Sequence, residues 1–208
     1  MWSEEVKEQN VTKALKTAYE LFLIYGIHNT TKKMVAEASG ISVPSINRYF
    51  LSRTDMVLQV AQYIGREVRT RNPYPSSLFA DGKHTGAQLL RMYMENVFCQ
   101  YHKEHRIFVL RSEYRVFVYR NCENFEFGYE KLMETLGCRR LIQKIYELGK
   151  KDGSFSPEIE PEKEAIYFCE SFFGFLSGIA LTSAASSEKA EGQIRRYIER
   201  VMASYKNF

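Results

Sequence analysis

The chain has 208 residues, 45% of them hydrophobic and 26% charged, with 5 prolines, 12 glycines and a formal net charge of +4. That much apolar surface offsets the chain entropy of one large domain or two small ones and excludes disordered and collagen-like classes. No uncharged apolar run reaches the roughly 18 residues of a membrane span, the longest candidate being Phe172–Leu181, so no membrane partner is expected. The first ten residues, MWSEEVKEQN, carry three glutamates and no apolar stretch of the kind a secretory signal needs, which points to the cytoplasm.

The charge is unevenly spread. Residues 1–72 are net +3 and residues 73–208 net +1, and between 31 and 53 Lys32, Lys33, Arg48 and Arg53 stand against Glu37 alone. By charge alone such a cluster reads as a solvated face as readily as an interface. The four cysteines, Cys99, Cys122, Cys138 and Cys169, show no CxxC spacing, and each falls inside an apolar helical pattern. They are expected to be buried thiols.

Apolar residues recur with the helical period almost throughout, which predicts an all-α protein. The first helix carries Val11, Leu15, Ala18, Phe22 and Tyr25 on one face and should stop at Gly26. A short second helix is capped by Thr31, turns Val35 and Ala38 inward, and ends at Ser39-Gly40. A third follows, with Ser42 as N-cap and Val43 and Pro44 in the first turn, where proline is tolerated; it runs to Tyr49-Phe50. Ser52-Arg53-Thr54-Asp55 has the capping-box pattern and opens a helix over about 53–70. The break at Asn72–Ser77 divides the chain into a head of residues 1–53, a connecting helix of 54–72 and a helical domain of 73–208. Further helices are predicted at about 86–103, 106–119, 124–150, 161–184 and 187–206, with a kink or split at Gly137.

Two short helices joined by Ser39-Gly40-Ile41-Ser42 make a helix-turn-helix, glycine supplying the freedom in φ that the turn needs. Ser45, Asn47 and Arg48 lie off the core face of its second helix. The run Thr30-Thr31, Val35-Ala36, Ser39-Gly40-Ile41-Ser42, Ser45-Ile46, Tyr49-Phe50, Ser52-Arg53 and Met56 resembles, in order and spacing, the N-terminal DNA-binding domain of the TetR-type bacterial transcriptional regulators. The resemblance covers roughly residues 8–58 and implies a DNA operator as partner. Asn47 stands where the family usually has a tyrosine that touches a phosphate, Val43 replaces a polar or basic residue, and Arg53 replaces a lysine.

The division of labour expected from side-chain chemistry is that Lys32, Lys33, Arg53 and the amides at helix N-termini orient phosphates, while Ser45, Asn47 and Arg48 face bases; Thr31, Ser42, Val43, Pro44 and Tyr49 complete the expected DNA-binding set. Arg48 can fork onto a guanine or make a phosphate contact. Asn47 can pair with an adenine.

In the second half, aromatics at helical spacing are mostly core. Between them lie polar side chains, and a pocket lined by Tyr93, Asn96, Gln100, Arg111, Tyr114, Phe127, Phe168 and Phe172 is expected to take a small, partly apolar effector. The resemblance implies that such a ligand releases DNA. It also implies a homodimer through the last two helices. Ser171, Gly174, Gly178, Thr182 and Ala185 form a small-residue stripe, and Ile194, Tyr197, Val201 and Tyr205 an apolar one; packing within the subunit is the alternative. No metal or other cofactor is expected: His102 and His105 stand i, i+3 at a solvated helix end, and no catalytic motif appears in the spacing. The expected function is a ligand-responsive DNA-binding regulator, not an enzyme. Alternatives are an architectural or protein-interaction module without a small ligand, or an all-helical enzyme.

Overall fold

The computed structural model describes residues 4–71, 82–121, 138–182 and 188–205, and among these every regular element is helical. In chain order they are α1 (Glu4–Asn29), α2 (Lys32–Ser39), α3 (Val43–Tyr49), α4 (Arg53–Arg71), α5 (Gly86–Lys103), α6 (Arg106–Asn121), α7 (Cys138–Asp152), α8 (Pro161–Ala180) and α9 (Glu188–Ser204). The Asn72–Ser77 break, Gly137, Cys122, Phe127 and Ala185 lie outside the described residues.

The chain divides into two compact units, residues 1–71 with 110–136, and residues 72–109 with 137–208. The sequence reading drew its boundary at residue 73; packing groups α6 from Leu110 onward with the first unit.

The core of the first unit is built from Ala14, Ala18, Phe22, Val35, Ile46, Phe50, Val57 and Val60, joined by Leu110, Tyr114, Phe117 and Val118 of α6. Two inward rows differ from those expected. On α1 the buried row is Ala14, Ala18 and Phe22, while Val11 and Leu15 are half-buried and Tyr25 is exposed. Small alanines let α2 and α4 approach α1, and Tyr25 points outward just before the kink. On α2 the buried residues are Val35, Ala36 and Ser39, and Ala38 is exposed. Ser39 is tolerated inside because its hydroxyl donates to the Ala36 carbonyl at 3.3 Å and accepts from the Ile41 amide at 3.3 Å.

The second unit packs α7 against α5 and α8, and α9 against α5. A capping box starts α5: Thr85 Oγ1 accepts from the Gln88 amide and Gln88 Oε1 from the Thr85 amide. The next two amides are taken by the far end of α7, Gly86 N–H donating to Asp152 Oδ2 at 2.8 Å and Ala87 N–H to Ser154 Oγ at 3.1 Å. An aromatic layer fills this core, Tyr93 meeting Phe168 edge-on and Phe168 leading through Phe172 and Phe173 to Phe108 and Tyr101. Cys138 and Cys169 are buried with their sulfurs 3.8 Å apart, but Cys99 is exposed, contrary to expectation. Its position on α5 falls between the inward residues Met94, Val97 and Tyr101 on the opposite face of the turn.

Candidate nucleic-acid interface

The site begins with local capping. Thr31 Oγ1 accepts from the Met34 amide at 3.2 Å and starts α2; Gly40 ends it in the left-handed region at φ 69°, ψ 17°. Ser42 Oγ accepts from the Ser45 amide at 3.4 Å, and Pro44 sits in the first turn of α3, where its missing N–H costs no helical bond. Ser52 Oγ accepts from the Asp55 amide at 3.0 Å, as the capping-box pattern predicts. The reciprocal bond differs: Asp55 Oδ2 takes the Leu51 amide at 2.8 Å rather than that of Ser52. Gln59 Nε2 then reaches the Tyr49 carbonyl at 3.1 Å, tying the end of α3 to α4.

With Ile46 and Phe50 turned fully inward, α3 presents Ser42, Val43, Pro44, Asn47 and Arg48 to solvent, with Ser45 and Tyr49 half-buried. Arg48 Nη2 donates to Ser45 Oγ at 3.0 Å, and Ser42 Oγ to the same oxygen at 3.0 Å. One exposed face thus gathers a planar cationic fork, an amide and two hydroxyls on a seven-residue helix, the side-chain types that read base edges in a major groove.

The cations expected to orient phosphates are placed in three ways. Lys33 is exposed, 3.8 Å from Glu37 in an i, i+4 pair. Lys32 Nζ donates to the Phe50 carbonyl at 3.1 Å. Arg53 Nη2 donates to the Ile27 carbonyl at 2.9 Å and to that of His28. Sequence reasoning missed these carbonyl partners, as it missed Glu113, whose Oε2 accepts from the Ile27 amide at 2.7 Å from 86 positions away. Thr30, by contrast, has a partner within the reach of a helical spacing, its hydroxyl donating to the Gly26 carbonyl at 2.9 Å.

The residues expected to bind an effector fall in both units. Arg111 and Tyr114 belong to the first, where Tyr114 is buried edge-on to Phe22; burial pushes its phenol well above the ordinary tyrosine range. Tyr93, Phe168 and Phe172 are buried in the second, with Asn96 and Gln100 half-buried on α5. Tyr101, one of the aromatics expected to be core, is buried in the same unit with a hydroxyl that meets no hydrogen-bond partner among the described residues; burial raises its pKa.

Of the residues expected at a dimer interface, Ser171, Gly174 and Gly178 are exposed on α8 and Thr182 is exposed just beyond its end; Tyr167 and Leu181 are each 65% exposed. Those of α9 are engaged within the chain. Ile194 is fully buried in a row with Ala190, Ile198 and Met202, so it faces its own core rather than a partner. Tyr197 stacks on Phe175 at 4.4 Å and donates to Ser171 Oγ at 3.0 Å, Tyr205 pairs with Tyr146 at 2.6 Å, and Val201 is half-buried. His102 Nδ1 lies 3.2 Å from Glu191 Oε1, and among the described residues no three metal-ligating side chains gather. No helix among them is long and apolar enough to cross a membrane.

A capped helix-turn-helix with an exposed polar recognition face, set in an all-helical chain, defines a DNA-binding regulator. Residues 14–60 match the model of the family described as bacterial regulatory proteins, tetR family. The chain carries a DNA-binding domain of that family over these residues.

Solved structures of similar fold extend the likeness to nearly the whole chain. Salmonella enterica GusR superposes at a TM-score of 0.70 with 14% identity, covering 95% of each chain. FadR of Thermus thermophilus, a tetR-family repressor in complex with lauroyl-CoA, gives 0.64 with 16% identity, covering 93% of each. FadR of Bacillus subtilis, in complex with stearoyl-CoA, gives 0.64 with 12% identity, covering 92% of this chain and 95% of that one. At these identities the likeness is one of fold. A search of curated proteins finds no match.

Proposed function

We propose that the protein is a homodimeric repressor that binds a palindromic operator and is released from it by a small, largely apolar effector held in the second unit. The observation that carries the effector is the buried phenol of Tyr101, whose hydroxyl is unpaired beside an aromatic layer running to Phe108 and Phe173. A buried unpaired donor costs free energy that a ligand acceptor, such as a carbonyl, recovers. Tyr93, Phe168 and Phe172 supply apolar lining, and Asn96 and Gln100 further polar groups. FadR proteins of similar fold hold acyl-CoA molecules, so acyl-CoA esters are the first class to test.

Ser45, Asn47 and Arg48 read bases in this proposal, and Ser171, Gly174 and Gly178 of α8, with Thr182 just beyond it, supply the two-fold contact. Each half-site then lies about one helical turn, roughly 34–36 Å, from its mate. Release by tenfold requires about 1.4 kcal/mol of differential affinity of the effector for the two states.

The test selects duplexes from a random library, then titrates acyl-CoA esters of graded chain length against protein alone and against its DNA complex. A two-fold consensus and an ester that both raises the melting temperature and weakens DNA binding are expected. A stabilising ester that leaves the DNA dissociation constant unchanged defeats the coupling, and a selection without consensus defeats the operator.

A further inference from the structure

Both backbone polar groups of Ile27 are taken by charged side chains from other helices. Its N–H donates to Glu113 Oε2 at 2.7 Å, and its carbonyl accepts from Arg53 Nη2 at 2.9 Å. The same guanidinium donates to the His28 carbonyl, and Thr30 Oγ1 donates to the carbonyl of Gly26. These bonds converge on the kink in α1, where Gly26 adopts φ 78°, ψ 163°, a conformation that side-chain-bearing residues avoid. The missing side chain also makes room for the carboxylate: a Cβ at Gly26 would lie 3.1 Å from both oxygens of Glu113. Ile27 itself is fully buried.

The kink is the hinge from which α2 departs, and α2 carries the turn into α3. Backbone groups that a helix end leaves unpaired are satisfied here by charge-assisted bonds, the strong and directional kind. Glu113 lies outside residues 14–60, the span that matches the family's DNA-binding domain, yet its carboxylate holds the first helix of that domain in place.

We propose that Arg53 and Glu113 are positioning residues for DNA recognition, which together grip the backbone of Ile27 and so fix the angle at which the reading helices leave α1, and that Arg53 acts through this grip rather than as a phosphate contact. Both carry out the same task on one residue, so their effects are coupled. A phosphate contact needs only a positive charge at position 53; the grip needs one donor nitrogen, Nη2, to reach two successive carbonyls, which the shorter side chain of a lysine does not reproduce.

The experiment uses the full chain and a duplex selected from a random library by the wild-type protein, with affinity followed across a salt series. Arg53→Lys and Glu113→Ala should each weaken binding about tenfold at fixed salt. Neither should alter the slope of log affinity against log salt. Arg53→Lys combined with Glu113→Ala should cost little more than either alone. Glu113→Gln keeps an acceptor oxygen and should retain most of the affinity, which also answers the case in which the alanine variant folds poorly. In the free protein, amide exchange at Ile27 should quicken about tenfold in Glu113→Ala.

Full affinity in Arg53→Lys, a salt slope shallower by about 0.9 in Arg53→Ala, or additive losses would each return Arg53 to the phosphate backbone and overturn the proposal. Unchanged exchange at Ile27 overturns it without reference to DNA, so a failure of operator selection remains distinguishable from a failure of the grip.

Discussion

Arg48 stands on the exposed face of α3 with one guanidinium nitrogen 3.0 Å from Ser45 Oγ, so its side chain is already oriented before DNA arrives. Preorganisation of this kind lowers the entropy lost on binding. Arg48→Ala is expected to cost about 1–3 kcal/mol of DNA affinity and to relax preference at one base pair per half-site. Competition with single-base variants of the selected duplex checks it; a uniform loss across all variants would assign Arg48 to a phosphate. Residue-scale features were legible where they are local. The caps at Thr31, Ser42 and Ser52 act over three residues, so spacing alone announces them. The partners of Lys32, Arg53 and Glu113 lie 18 to 86 positions away, and no pattern in the chain encodes such distances.

Between elements, α5 and α7 approach closely in the second unit. A Cβ on Gly86 would stand 2.3 Å from the Gly149 Cα, and one on Gly149 would stand 2.0 Å from a ring carbon of Phe155. Backbone cannot yield as a flexible side-chain tip can, so Gly86→Ala must push the two helices apart. It would also strain the bonds from Gly86 and Ala87 to Asp152 and Ser154. Overpacking costs about 1–3 kcal/mol, and this site belongs at the upper end. The melting temperature should fall by roughly 2–4 °C per kcal/mol for a chain of this size; an unchanged melt would show that the helices separate freely. Periodicity placed α5 at its observed bounds and the end of α7 within two residues of Asp152, because burying one face imposes the 3.6-residue repeat; the start expected at residue 124 lies outside the described residues. It did not show which glycines sit in a helix crossing.

For the whole molecule, two expectations concern stability and assembly. Burial pushes the phenols of Tyr101, Tyr114, Tyr146 and Tyr205 upward, and the last two share a hydrogen bond. The folded chain therefore keeps protons that the unfolded chain releases above pH about 10. Stability from this source is complete below that value and is lost as pH rises beyond it. Native-state phenolate absorbance should show a subset of the 14 tyrosines titrating late, together with the unfolding transition. A single transition of all of them near the ordinary value, without unfolding, would be the contrary result.

Assembly is tested at Gly178. An added Cβ there meets nothing within 4 Å in the single chain, so leucine should leave the subunit folded and disrupt only a partner packed on α8. Light scattering should find a folded monomer, and a persistent dimer would move the interface elsewhere.

The sequence by itself determined the helical class, the order of the helices, the caps at Thr31, Ser42 and Ser52, and the helix-turn-helix with Ser45, Asn47 and Arg48 off its core face. All of these follow from interactions within a few residues or from a repeat along one helix. Only the tertiary structure decided that Ile194 faces its own core while Gly174 and Gly178 stay exposed, and that Leu110 to Val118 of α6 complete the core of the first unit. It likewise turned Arg53 onto backbone carbonyls. A charged side chain is visible in a sequence, but its partner is chosen by how separate helices pack, and that choice is made in three dimensions.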